Sequence, residues 1–139
     1  MDTKLRLAGC IITNDQGEIL LLHRNTPKRT QWEIPGGKID EGESEVDAVT
    51  REIEEELRVR VRIVRKLGER DFHEDGFVMS YNWFLGVIEG GEPAIGEPDK
   101  FDDLRYFKRV GLVLRRDELS ANTVNFLDSW DNGEFSLET

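Results

Sequence analysis

Apolar residues fall along the chain in short runs with two different spacings, separated by polar turns. "LRLAGCIIT" (5–13) and "EILLLHR" (18–24) are long enough and apolar enough for two largely buried strands. Between them "NDQG" (14–17) supplies residues that tolerate turn geometry, so the pair predicts a hairpin. "WEI" (32–34) is a short third strand, ended by Pro35-Gly36-Gly37. The period then changes. Val46, Val49, Ile53 and Leu57 share one helical face, predicting a helix from about Ser44 to Leu57. Ser44 suits the N-cap, and Glu45 and Asp47 suit the first turn. "VRVRIVRKLGERDF" (59–72) alternates as a strand whose arginines form a solvated outer face. "HEDG" turns it into the strand "FVMSYNWFLGVI" (77–88). A long polar loop follows, "EGGEPAIGEPDKFDD" (89–103), of the kind that often carries function. "LRYFKR" is a short strand, and "ANTVNFLDSW" (121–130) a closing helix. Strands outnumber helices, so the expected fold is α+β, an α/β/α sandwich with a mixed sheet.

Composition narrows the classes of function. The 139 residues, 37% of them hydrophobic, suffice for one domain over 1–139, and no repeat or linker divides them. No apolar run reaches the roughly 18 residues of a membrane span, and the polar N-terminus does not read as a secretory segment. Cys10 is the single cysteine, so no intrachain disulfide can form and a reducing cytoplasm is expected. A formal net charge of -10 argues against a partner that is a nucleic-acid polymer. An acidic protein that handles phosphates must concentrate positive charge locally or borrow it from metal ions.

The predicted helix carries that question. At about 100° per residue, with Glu52 set at zero, Glu55 falls near 300° and Glu56 near 40°. The apolar stripe is centred near 105°, and Glu54 points elsewhere. Two carboxylates about 4 Å apart repel by roughly 4 kcal/mol at an effective dielectric near 20. A converging triplet must therefore take up protons, splay into water or hold cations, and hard divalent ions suit oxygen ligands. Arg51, four residues before Glu55, can orient it.

Gly37, Glu43, Arg51, Glu52, Ile53, Glu55 and Glu56 fit the fixed spacing G-x5-E-x7-R-E-U-x-E-E, with U aliphatic. A chance match in this length is on the order of one in a million. The spacing resembles the Nudix box, here about 37–59, the signature of hydrolases acting on nucleoside diphosphates linked to another group. The family box continues x-G-U after its glutamate pair, where this chain reads Leu57-Arg58-Val59. That glycine closes the helix in a left-handed conformation, so a changed helix exit is expected and no lost ligand.

The resemblance implies Mg²⁺, with Mn²⁺ as an alternative, and a loop–helix–loop within a Nudix sandwich. By position Glu52, Glu55, Glu56 and Glu97 would bind metal, joined by the carbonyls of Gly36 and Gly37. Either Glu52 or Glu97 would be the general base, with Glu55 and Arg51 completing the catalytic group. Asp99, Asp102 and Asp103 are fallbacks for Glu97. "QWEIPGGKIDEGES" and "EILLLHR" look like the MutT branch, which converts nucleoside triphosphates to monophosphate and pyrophosphate. There Arg24 would touch substrate phosphates. Asn122 would hydrogen-bond the base, or else cap the last helix. Trp32 and Trp83 are expected in the core or pocket wall, and His23 and His73 in structural roles. A (d)NTP or oxidised dNTP is thus the expected substrate of a monomer or homodimer. The alternatives are a pyrophosphatase for ADP-ribose, a sugar nucleotide or a dinucleotide, and a non-catalytic nucleotide-binding module.

Overall fold

A computed structural model describes residues 3–139. Seven strands and three helices follow in the order β1 (Thr3–Ile12), β2 (Ile19–Asn25), β3 (Thr30–Glu33), β4 (Gly36–Lys38), α1 (Glu45–Leu57), β5 (Arg60–Glu74), β6 (Phe77–Gly90), β7 (Phe101–Phe107), α2 (Arg109–Leu114) and α3 (Ala121–Asp131). They form a mixed four-stranded sheet in the order β4-β1-β6-β5 and an antiparallel three-stranded sheet in the order β3-β2-β7. β1 and β6 run parallel, Leu7 opposite Tyr81. The fold is the expected α+β sandwich.

The first hairpin does not form as expected. The turn is there, with Asn14 N–H donating to the Glu18 carbonyl and Gly17 N–H to that of Asn14. Beyond one bridge, Thr13 to Ile19, β1 and β2 diverge into different sheets. Both strands are buried on two faces, which is why each reads as a continuous apolar run. Ile19 and Leu21 join Ile11, Trp83, Leu85 and Phe126 in one apolar cluster, on the side of α3. Leu20 and Leu22 join Ala8, Cys10, Val49, Ile53 and Leu57 in the other, on the side of α1.

α1 begins where its N-cap predicts, Ser44 Oγ accepting from Asp47 N–H at 3.1 Å. Its buried positions are Ala48, Val49, Ile53, Glu56 and Leu57, whereas Val46 is 46% exposed. β5 departs from simple alternation too. Three register shifts move its side chains between faces, so Val61 and Ile63 face one cluster while Val64, Leu67 and Phe72 face the other. Pro35-Gly36-Gly37 does not end the strand region, since Gly36–Lys38 adds β4 to the edge of β1. α2 was not foreseen. Its exposed Val110, Val113 and Leu114 give no amphipathic pattern to read.

Candidate active site

The site is built on the turn into β4. Gly36 lies opposite Gly9 and Gly37 opposite Ala8 in the ladder with β1. A Cβ at Gly36 would run into the Ala8 carbonyl and stand 2.6 Å from the Gly9 Cα. A Cβ at Gly37 would stand 2.6 Å from both carboxylate oxygens of Glu52. Glycine here lets the backbone approach α1 closely enough for its acids to rest against the turn.

Glu56 is 5% exposed and accepts a hydrogen bond from Gly36 N–H at 2.7 Å. Burial raises its pKa well above the ordinary value, Glu52 and Glu97 add to that rise, and the Gly36 bond opposes it. Burial raises Glu52 as well, against the opposing pull of Arg51. Both carboxyls line a cavity of about 510 Å³, with Gly36, Gly37, Glu33 and Glu97 beside them. That volume lies in the range of small-molecule sites.

Glu55 does not join them. Its side chain is 48% exposed and lines a shallow depression on the outer face of α1. Arg51 bridges neighbouring acids, donating to Glu43 at 2.8 and 2.9 Å and, from its Nη1, to both Glu52 at 3.0 Å and Glu55 at 3.4 Å. Glu43 is held down to about 2, first by its bond from Arg51. Among the described residues no three His, Cys, Asp or Glu side chains stand close enough together to hold a metal. The donors nonetheless suit one. Two acids share a cavity against glycine backbone, each disfavoured as an anion by burial and by the neighbouring acids. A hard divalent cation relieves that penalty with oxygen ligands alone.

Glu97 arrives from the 91–100 loop and contributes to the same acidic wall; Asp99, Asp102 and Asp103 do not line the cavity. Asp102 instead bonds His23 Nδ1 at 2.6 Å. Arg24 lines the cavity and is clamped by Glu33 through two bonds, at 2.7 and 3.1 Å. Burial works against the Arg24 charge, but Glu33, with Glu56 and Glu97 beside it, outweighs that cost and its pKa is raised. Its guanidinium lies 4.9 Å from the centre of the Phe101 ring. Lys28, Arg29, Lys38 and Lys100 add positive charge to the lining.

The lining also carries apolar groups from Leu7, Ile34, Phe72, Met79 and Tyr81, and Tyr81 reaches the glycine turn, its hydroxyl 2.8 Å from where a Gly36 Cβ would stand. Asn122 lines it within α3 and is not the helix cap, a place taken by Ser120, whose Oγ accepts from Thr123 N–H. Asn122 Oδ1 accepts from the buried Trp83 Nε1 at 2.9 Å. An indole N–H can only donate, so this bond fixes which end of the amide faces the cavity. Trp32 and Trp83 belong to the core, as expected, and the aromatic lining comes from Phe72 and Tyr81.

Sequence reasoning missed Glu33, Phe72 and Tyr81. Glu33 carried a usable signal, lying on a strand next to the glycine turn. Phe72 and Tyr81 carried none, because strand pairing alone brings them to the cavity.

The profile of the NUDIX domain family matches residues 3–128. A solved structure, the MutT NUDIX hydrolase from Burkholderia pseudomallei, superposes with a TM-score of 0.81 at 32% identity, covering 91% of this chain and 98% of that one. The 8-oxo-dGTP diphosphatase of Haemophilus influenzae is 36% identical over 97 residues, 67% of this chain and 71% of the relative. The ADP-ribose pyrophosphatase of Methanocaldococcus jannaschii is 34% identical over 93 residues, 65% of this chain and 54% of the relative. With other curated relatives the matched segment spans only 26% or 54% of their length.

Proposed function

This chain belongs to the NUDIX family, and from that premise we propose that it is a metal-dependent hydrolase of nucleoside diphosphate derivatives, with a nucleoside triphosphate as substrate. The observation that carries the proposal is the meeting of buried Glu56 and half-buried Glu52 at the Gly36–Gly37 turn, on the wall of a cavity that also has apolar and aromatic lining. The acidic groups suit polyphosphate with its cation, and the apolar lining suits a nucleobase.

Glu52, Glu56 and Glu97, with the Gly36 and Gly37 carbonyls and with Glu55 once released from Arg51, would hold Mg²⁺ or Mn²⁺. When bound, the ion supplies Lewis acidity toward the phosphoanhydride and the attacking water. Arg24, pre-set by Glu33, orients the phosphate chain. Arg51 ties the Glu52 and Glu55 carboxylates together through its Nη1. Glu52 or Glu97 takes a proton from the water as its oxygen bonds to phosphorus and the P–O–P bridge opens. Phe72 offers its ring to the base, and Asn122 offers its Nδ2 as a donor. The preferred base therefore presents an acceptor, as a keto group does and an amino group does not.

A panel of 8-oxo-dGTP, ordinary and methylated dNTPs and ADP-ribose, assayed for pyrophosphate and for nucleoside monophosphate with Mg²⁺, tests the reading. Pyrophosphate from a triphosphate supports it. Turnover of ADP-ribose alone would assign the ADP-ribose activity instead, which similarity to the Methanocaldococcus enzyme makes the second reading. Nucleotide binding without turnover of any member would leave a binding module. Glu55→Gln and Glu56→Gln should each lower kcat by several orders of magnitude while the fold survives.

A further inference from the structure

The carbonyls that end α1 meet the loop that carries Glu97. Gly96 N–H donates to the Glu56 carbonyl and Ala94 N–H to the Leu57 carbonyl, each at 2.9 Å. The helix thus closes partly on its own Arg58, whose N–H reaches the Glu54 carbonyl, and partly on a segment about forty residues later. Gly96 packs directly on the last turn. A Cβ built there would overlap the Glu55 carbonyl oxygen and lie 3.1 Å from its carbon. The oxygen belongs to the backbone of the helix, so it cannot swing away as a flexible side chain could. Immediately after this contact Glu97 points into the cavity beside Glu52 and Glu56. Its own carbonyl then accepts from Lys100 N–H at 3.0 Å and Phe101 N–H at 3.1 Å, leading into β7.

We propose that Gly96 is a positioning residue: its bare α-carbon docks the loop on the final turn of α1 and so fixes the Glu97 carboxylate relative to Glu52 and Glu56. The inference rests on the role proposed for Glu97. Two segments remote in sequence are tied through one helix end, and the tie has room for hydrogen and not for methyl.

The test is a double-mutant cycle with Gly96→Ala and Glu97→Gln, read first as Mn²⁺ affinity of the free protein by electron paramagnetic resonance. A second reading is kcat on the best nucleotide of the panel, and urea unfolding of each variant reports stability. Outer residues that orient metal ligands typically contribute tenfold or more to metal affinity or activity. Gly96→Ala is expected to weaken Mn²⁺ binding and lower kcat each by about tenfold, with KM within twofold. The double variant should be no worse than Glu97→Gln alone, because a carboxylate already removed cannot be misplaced. Losses that multiply in the double variant, or normal behaviour of Gly96→Ala, overturn the inference. An unaltered Glu97→Gln overturns the role of Glu97 and the inference with it. Absence of hydrolysis of every nucleotide strikes the proposed reaction alone, since the Mn²⁺ cycle still reads the docking. Should Gly96→Ala not fold, Ala94→Pro removes the neighbouring bond without entering the cavity, and the same non-additivity with Glu97→Gln is expected.

Discussion

Arg58 stands in a left-handed conformation, φ 57° and ψ 32°, at the end of α1, where the family pattern has glycine. A non-glycine residue pays about 1–2 kcal/mol for that geometry, because its Cβ crowds the following carbonyl. Glycine escapes that cost but loses about 0.5–1 kcal/mol more chain entropy on folding. Arg58 also places a cation at the negative end of the helix, worth roughly 0.3–1 kcal/mol at an exposed position. Arg58→Ala removes the charge and keeps the Cβ, and Arg58→Gly removes both. The glycine variant should therefore exceed the alanine variant in stability by about 0.5–1 kcal/mol. Unfolding entropy near 2.1 cal/mol/K per residue over 139 residues is about 0.3 kcal/mol/K, so the two melting temperatures should differ by about 2–3 °C. Calorimetry of the variants side by side measures this, with urea titration as a second reading. Equal stability of the two variants would refute the strain argument. Loss of activity in Arg58→Gly would refute the placement of Arg58 outside the cavity.

Three further outcomes follow from the same coordinates. Gly37→Ala sets a methyl against both Glu52 oxygens, so Mn²⁺ affinity and kcat should each fall at least tenfold, and a normal Mn²⁺ titration would speak against the close approach. Asn122→Asp keeps an acceptor for Trp83 and turns the cavity-facing donor into an acceptor. The ratio of kcat/KM for dGTP over dATP should fall by about tenfold or more, and an unchanged ratio would separate Asn122 from base choice. Burial pushes the Cys10 thiol up to about 12 from an ordinary 9.0. A raised pKa in the fold means this contribution is whole below pH 9 and is lost as pH climbs toward 12. Unfolding free energy should thus fall by about 1.4 kcal/mol per pH unit more steeply in the native chain than in Cys10→Ala. Parallel urea midpoints between pH 9 and 11 would refute it.

The sequence by itself determined the span of α1 and its cap. Periodicity found the helix and its cap because both are local: Ser44 caps three residues away, and the apolar stripe recurs within single turns. Even the burial order of the acids was legible. Glu56, about 65° from the centre of the apolar stripe, is buried, Glu52 at about 105° is half-buried, and Glu55 at about 165° is exposed. The tertiary structure alone decided where β1 and β2 go, since two strands buried on both faces can join one sheet or two with the same apolar run. It alone decided that Val46 faces water and that Trp83 rather than a helix end engages Asn122. Those outcomes depend on partners up to 39 residues away in the chain. Spacing along a helix fixes the direction a side chain leaves the axis, and what it then meets is fixed by packing.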